Sequence, residues 1–172
     1  MQADLRAANQ NRKNTPWVVV MGHIPLYCAI CSMANVTTNY PRAGGWWAAH
    51  ELEPLFLRYG VDFFVSGHLH MYEAMWPSKN GQPTQRNFKD PTAPVHVLSG
   101  NGGPGSHHVF GGKTTPMTRF QSEEFGYGML SATNESVVVF QQFANDGDRL
   151  IDSFVVERSS ATAGRPRNYY MA

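Results

Sequence analysis

Two glycine-histidine pairs are the residues of this sequence best suited to chemistry. Gly22-His23 and Gly67-His68 each follow a run of apolar residues, and His70 comes two residues after His68. Imidazole is a common ligand of transition-metal ions, and glycine before it lets the backbone turn sharply where a bulky group must approach. We therefore predict a metal site at these three histidines.

The spacing of His68 and His70 suits a pair of metal ions. In an extended chain the two residues share one face, with Cα atoms roughly 6.5–7 Å apart. Two imidazoles at that span can each bind one of two ions about 3.5–4 Å apart, as in two-metal sites that cleave phosphoesters. The alternative interpretation is that one or both are ordinary core or loop histidines.

The elements around the histidines indicate an α/β fold. Residues 16–21 and 61–66 are continuous apolar runs, which are typical of strands buried on both faces of a parallel sheet. Between them, residues 46–59 repeat apolar side chains at the spacing of one helix face. Because open α/β sheets collect their sites beyond the carboxyl ends of the strands, we expect His23 and His68 to meet there.

The second half of the chain is predicted to consist mainly of strands. Beyond residue 72, short apolar segments alternate with turns rich in glycine, the pattern of a β-meander. The predicted strands are residues 94–99, 126–133, 136–142 and 150–156. Residues 158–172 are polar, and we expect them to form a flexible tail.

Charge and hydropathy exclude several classes of protein. The 172 residues carry 14 Lys and Arg against 13 Asp and Glu, a net charge of +1, so we predict no nucleic-acid partner. No run of about 18 apolar residues occurs, so we predict no membrane span. The first residues also lack the apolar stretch of a signal peptide.

Several motifs occur in an order that is similar to that of a known enzyme family. The first group comprises Val20–Tyr27 (VMGHIPLY), Glu51–Phe56 (ELEPLF), Gly60–Asp62, Gly67–Glu73 (GHLHMYE) and Trp76-Pro77. The second comprises Ala93–Val97 (APVHV) with Gly100, Phe125–Leu130 (FGYGML), Asn134–Ser136 and Ile151–Phe154. Over roughly residues 4–157, the chain resembles the C-terminal half of purple acid phosphatases, within the calcineurin-like metallophosphoesterases.

The resemblance implies a fold, an activity and a ligand set. The fold would be α/β, a β-sandwich flanked by helices in four layers (α/β/β/α), with residues 1–157 forming the C-terminal part of the catalytic domain. The activity would be acid phosphatase-type hydrolysis of phosphomonoesters at a binuclear centre of Fe(III) with Zn, Mn or Fe(II). In the family's pattern, His23 and His68 would bind the divalent ion and His70 the ferric ion.

Four further ligands of the family's centre are missing from these residues. They are an aspartate, a bridging aspartate with a nearby tyrosine, and an asparagine, carried by DxG, GDxxY and GNH[ED] motifs that do not occur in the 172 residues. Three neutral imidazoles would also leave the charge of two such ions unbalanced. We therefore expect the isolated chain to be inactive. The alternative is a non-catalytic binding or interaction protein that retains the scaffold.

The cysteines and two sequons bear on the compartment of the protein. Cys28 and Cys31 form a C-x-x-C pair, for which a redox pair, half a zinc site or free thiols are the alternatives to a local disulfide. Related sequences place a cysteine after the same Pro-x-Tyr, so the resemblance favours the disulfide. Asn35 and Asn134 begin glycosylation sequons. Together these features favour a secreted, endomembrane or lysosome-like glycoprotein as the parent.

Two more histidines are candidates for contact with a substrate. His107 and His108 lie in a glycine-rich segment that follows a predicted strand, where loops often carry function. The alternative is that both simply face solvent.

Overall fold

The computed structural model describes residues 1–30, 46–103 and 113–171. The helices are α1 (Gln2–Gln10) and α2 (Trp46–Arg58). The strands are β1 (Val19–Gly22), β2 (Phe63–Ser66), β3 (Tyr72–Met75), β4 (Ser78–Lys79), β5 (Gln82–Pro83), β6 (Val95–Ser99), β7 (Thr118–Ser122), β8 (Gly126–Ala132), β9 (Val137–Ala144) and β10 (Leu150–Glu157). In these ranges, neither helix is long and apolar enough to cross a bilayer.

The strands form two main sheets and a small hairpin. The larger sheet has the order β1-β2-β6-β3-β7, in which β1, β2 and β6 are parallel while β3 runs antiparallel to both of its neighbours. The second sheet is an antiparallel meander, β10-β9-β8, and β4 pairs with β5. The predicted α/β class is confirmed, and the meander predicted for the second half is formed by its last three strands.

Apolar alternation in the strands places a core on each side of the larger sheet. Phe63 and its neighbours face the three-stranded sheet, where they pack with Phe140 and Phe154. Phe64, on the opposite face, packs with Phe56 of α2 and with α1. The described residues therefore form three of the four expected layers, α/β/β. The outer face of the three-stranded sheet is exposed at Tyr127, Met129 and Val155.

Strand β1 differs from its prediction. Its side chains were expected to be buried on both faces, but Val19 is 39% and Met21 79% exposed. Val18 is buried and Val20 packs beside it against the helical layer. Among the described strands, β1 pairs only with β2 and lies at the edge of the sheet, and the described residues cover the face that carries Val19 and Met21 only in part.

The C-terminal segment packs against the domain, which differs from the flexible tail expected for residues 158–172. Arg158 is 4% and Tyr169 2% exposed. The Tyr169 amide donates to the Leu57 carbonyl (2.8 Å), and Asn9 exchanges two hydrogen bonds with the backbone of Arg167 (2.8 and 2.9 Å). The polar composition of the segment therefore supplies partners for buried groups rather than exposure to solvent.

A buried ionic cluster holds that segment beneath the sheet. Asp62, which directly precedes β2, accepts hydrogen bonds from Arg12 (2.7 Å), Arg158 and Arg167 (3.3 Å). Burial pushes the pKa of Asp62 upward, but the charges of Arg12 and Arg158 outweigh it and hold that pKa below its ordinary value. Because this cluster lies at the amino end of β2, it is at the opposite edge of the sheet from the histidines.

Candidate metal centre

The two glycine-histidine pairs lie side by side at the carboxyl edge of the larger sheet. β1 and β2 are parallel neighbours, and Gly22 at the end of one pairs with Ser66 at the end of the other. The next residues continue this contact, because the Gly67 amide donates to the His23 carbonyl (3.1 Å). The strand register therefore brings His23 and His68 together although 45 residues separate them.

The two imidazoles face each other through their ring nitrogens. His23 Nε2 and His68 Nδ1 are 3.1 Å apart, and the ring planes cross at 77°. Two nitrogen ligands on one tetrahedral zinc ion would lie about 3.3 Å apart, given a metal-nitrogen bond of about 2.0–2.1 Å. His23 is exposed and His68 is half-buried, so the pair can be reached from solvent. The pair thus fits two ligand positions of a single ion.

His68 and His70 lie in tight turns instead of the extended chain assumed for their spacing. The Leu69 amide donates to the Gly67 carbonyl and the Met71 amide to the Leu69 carbonyl, both at 2.8 Å, which is the i to i+2 pattern of γ-turns. His68 has a φ of 70°, a left-handed conformation that few residues other than glycine adopt readily. The turn aims His68 toward His23, so the extended-chain distance between His68 and His70 does not apply.

The histidines also affect one another electrostatically. The pKa of His68 is lowered first by burial and then by the like charges of His23 and His70. A lowered pKa favours the neutral ring, which is the form that binds metal. Within the described ranges, no group of three or more His, Cys, Asp or Glu side chains is placed to hold one ion. The donor set therefore fits a metal ion in part, through two imidazoles.

Gly100, which directly follows β6, allows the turn that carries His68 and His70 to pack closely against the end of that strand. The Gly100 amide donates to the Met71 carbonyl (3.0 Å), and a Cβ at Gly100 would lie only 2.0 Å from the Leu69 carbonyl oxygen. Any other residue at position 100 would therefore push against the turn that carries His68 and His70.

The other predicted site residues have mixed positions. Cys28 is 2% exposed and disulfide-bonded. Asn134 lies in an exposed turn, where its side-chain oxygen accepts a hydrogen bond from the Ser136 amide (2.8 Å). The remaining predicted residues, Cys31, Asn35, His107 and His108, lie outside the described part of the chain.

Two buried carboxylates to which the sequence assigns no role form hydrogen bonds with the segment that follows His23. Glu73 accepts hydrogen bonds from the Ala29 amide (2.8 Å) and the Thr118 hydroxyl (2.7 Å). Glu53 accepts one from the Tyr27 hydroxyl (2.5 Å). Burial raises the pKa of each carboxyl, against the hydrogen bonds that favour its charged form. Neither residue type nor spacing distinguishes these groups from surface glutamates, and only their place in otherwise apolar segments was a signal.

Comparison with known proteins agrees with this architecture. The family model described as calcineurin-like phosphoesterase matches residues 2–72, and the one described as iron/zinc purple acid phosphatase-like protein C matches residues 93–153. Human "Acid phosphatase type 7" is 32% identical over 166 residues, which cover 92% of this chain and 38% of that protein. Arabidopsis thaliana "Purple acid phosphatase 18" is 31% identical over 150 residues, 86% of this chain and 31% of that protein.

A solved structure shows the same fold. The yellow lupin purple acid phosphatase PPD1 superposes with a TM-score of 0.78 at 24% identity, covering 94% of this chain and 28% of that one. The fold is thus that of the calcineurin-like metallophosphoesterases. Within that class, the resemblance to the C-terminal part of purple acid phosphatases is confirmed. The chain spans less than two fifths of the length of the two curated relatives named above.

Proposed function

We propose that this chain supplies the histidine ligands of a binuclear metal centre that hydrolyses phosphomonoesters. The observation that carries the proposal is the 3.1 Å approach of His23 Nε2 and His68 Nδ1 at the carboxyl ends of two parallel strands. Its relatives are named as acid phosphatases, which supports the reaction class. His23 and His68 would hold the divalent ion, which is Zn, Mn or Fe(II), and His70 would bind Fe(III).

The ions and the side chains of this protein would have different roles in hydrolysis. Bound ions would supply Lewis-acid stabilisation of the charge that develops on phosphate. The imidazoles would fix the ions at the sheet edge without adding negative charge, and the exposed side of His23 would leave the phosphomonoester a route to them. With a net charge of only +1, the chain itself adds little attraction for phosphate.

The proposal also includes inactivity of these 172 residues by themselves. The carboxylates and the asparagine that the family's centre uses would have to come from a polypeptide with DxG, GDxxY and GNH[ED] motifs, none of which occurs in this sequence. Without them, two ions would remain poorly compensated and weakly held.

The test combines the chain with the missing motifs. We would measure metal content and p-nitrophenyl phosphate turnover for the chain alone and for a fusion to the preceding region of human acid phosphatase type 7. We expect negligible turnover alone, and turnover with bound metal in the fusion. Replacing both His68 and His70 by alanine should lower the turnover of the fusion at least a hundredfold, as expected when metal ligands are lost.

A matched control uses a histidine on α2. His50 is exposed and lies outside the site, so His50→Ala should retain turnover and metal. A fusion that folds but binds no metal, or one in which the double alanine variant is as active as its parent, would contradict the proposal. Such results would favour a non-catalytic interaction protein on the same scaffold.

We further propose that the parent protein is an exported glycoprotein. The disulfide-bonded state of Cys28 and the exposed sequon at Asn134 support an oxidising compartment. Expression in a secretory host should give a band whose mobility increases after glycosidase treatment. Asn134→Gln should remove the part of this mobility change that is due to a glycan at Asn134. If untreated Asn134→Gln and untreated wild type have the same mobility, glycosylation at this position is contradicted.

A further inference from the structure

The loop that carries His23 is fastened at its far end to the strand that follows His70. We call residues 23–30 the His23 loop. Its Ala29 amide donates to Glu73 Oε2 at 2.8 Å, and this contact is buried. Glu73 lies in β3, three residues after His70, so the two Cα atoms are at most roughly 11 Å apart. One carboxylate thus joins the two segments that present the histidines.

The same carboxylate also binds β7. Glu73 Oε1 accepts hydrogen bonds from the Thr118 hydroxyl (2.7 Å) and the Gln121 side-chain amide (3.3 Å). The Thr118 oxygen accepts from the Thr115 amide (2.9 Å), which leaves its hydrogen for Glu73. Each of these three hydrogen bonds is donated to the carboxylate, so the negative form of Glu73 satisfies all of them.

The surroundings make this fastening specific. Ala29 and Cys28 pack in an apolar cluster with Met71, Met75 and Leu98. Glu73 itself is 0% exposed. An amide or carboxylate that loses its partner in such a place is costly because water cannot replace the lost hydrogen bond. The His23 loop therefore has one strongly preferred position relative to β3.

We propose that Glu73 is a positioning residue of the metal centre. Its carboxylate holds the His23 loop against β3 and β7, and so keeps His23 facing His68. The inference rests on the proposed function as far as metal is concerned, but the fastening itself concerns only residues of this chain. A second contact, between Tyr27 and Glu53, ties the same loop to α2 and does not reach the strand that follows His70.

The experiment compares two isosteric variants. Glu73→Gln keeps the size of the side chain but turns an NH2 group toward donors. Asp90→Asn is the matched control, since Asp90 likewise accepts from a backbone amide (Ser159, 2.9 Å) and a threonine hydroxyl (Thr162, 2.5 Å), at the C-terminal segment. Thr118→Val, which removes one donor, serves if Glu73→Gln does not fold.

Two measurements are made on the full 172-residue chain. The first is amide hydrogen exchange at Ala29 without metal, which we expect Glu73→Gln to accelerate at least tenfold. The second is Zn²⁺ affinity by competition with a chromogenic chelator, which we expect Glu73→Gln to weaken tenfold or more, as is usual for groups that orient ligands. Thr118→Val should shift both in the same direction by less, and Asp90→Asn should change neither.

The outcomes separate the two proposals. If the wild-type chain binds no measurable Zn²⁺, its affinity and that of Glu73→Gln are compared in the fusion to the preceding region of human acid phosphatase type 7. A folded fusion that also binds no metal would contradict the proposed function, while faster exchange at Ala29 in Glu73→Gln would still support the fastening. If the wild type binds Zn²⁺ and folded Glu73→Gln binds it equally tightly, the positioning role is overturned. Lower global stability with unchanged Zn²⁺ affinity would likewise overturn it, because that pattern marks a purely structural residue.

Discussion

At the scale of single residues, Gly100 sets how closely the end of β6 approaches the histidine turn. In Gly100→Ala, the added methyl group would meet the Leu69 carbonyl at 2.0 Å, and backbone must shift to relieve the overlap. We expect a loss of roughly 1–3 kcal/mol of stability and weaker Zn²⁺ binding, because the turn holding His68 and His70 moves. Urea denaturation and a chelator competition measure the two effects.

Gly103 provides the control for this prediction. It lies three residues further along, and a Cβ there would meet no atom of the described part of the chain within 4 Å. Gly103→Ala should therefore leave stability and Zn²⁺ affinity within error of the wild type. Equal behaviour of the two variants would show that the close approach at Gly100 does not constrain the site.

The sequence was sufficient to predict the histidines of the site but not the residue that positions them. His23 and His68 could be placed because a histidine that ends an apolar strand is unusual, and parallel strands bring such residues to one edge. The position of Glu73 could not be predicted, because its carboxylate is buried among donors from residues 29, 118 and 121, which are distant in sequence. The left-handed conformation of His68 was also hidden, because the glycine of this turn is residue 67, whereas the positive φ falls on residue 68.

At the scale of elements, the C-terminal segment stabilises the amino edge of the sheet. Tyr169 is 2% exposed, its amide bonds to Leu57 of α2, and its carbonyl accepts from Lys79 of β4 (3.0 Å). We expect Tyr169→Ala to lower the free energy of unfolding by about 3 kcal/mol, as for other large buried aromatic residues. Chemical denaturation followed by tryptophan fluorescence measures this change.

The adjacent tyrosine is the matched control. Tyr170 is 58% exposed, so Tyr170→Ala should change stability by no more than about 0.5 kcal/mol. If the two variants are equally stable, the segment is not docked in solution as it is in the structure.

The elements were predictable to different degrees. Helix α2 and strand β2 follow from their apolar patterns, and Gly60 ends the helix with a φ of 60°. β3 and β7 were missed because both are short and mix polar with apolar side chains. The sequence predicts a flexible C-terminal segment because that segment is polar. A polar composition does not show that Arg158 and Arg167 form hydrogen bonds with the buried residues Asp62 and Asn9.

At the scale of the whole molecule, acid should destabilise the fold through a buried histidine. His96 of β6 is 2% exposed and lies between the rings of Tyr27 and Phe64 (centroids 4.9 and 6.1 Å). Neither ring nitrogen makes a hydrogen bond of normal geometry to any residue that the structure describes. Burial lowers the pKa of His96 to about 4, an effect that the nearby Ser78 backbone opposes only in part.

The direction of this pH dependence follows from the protonation of His96 in the unfolded and the folded protein. In the unfolded chain, His96 binds a proton near its ordinary pKa of 6.5, while the folded protein resists protonation until about pH 4. Stability from this residue is therefore complete above pH 6.5 and declines between pH 6.5 and 4, by about 3 kcal/mol in total. Asp62 adds a loss at lower pH, whereas the raised pKa values of Glu53 and Glu73 act in the opposite direction.

Comparing His96→Phe with the wild type isolates the contribution of His96. The difference in unfolding free energy between the two proteins should shift in favour of the variant as pH falls from 6.5 to 4, measured by urea titration at each pH. A difference that stays constant over this range would contradict a buried neutral His96.

The pair of hydrogen bonds between Asn9 and Arg167 also constrains the order of synthesis and folding. The two residues are 158 positions apart, and the cluster around Asp62 likewise needs Arg12 together with Arg158 and Arg167. A ribosome synthesises Asn9 158 positions before Arg167, so Asn9 lacks this partner until the C-terminal segment has been translated. The contacts at the amino edge of the larger sheet can therefore be completed only after the C-terminal segment has been translated. Until then, the chain depends on avoiding aggregation.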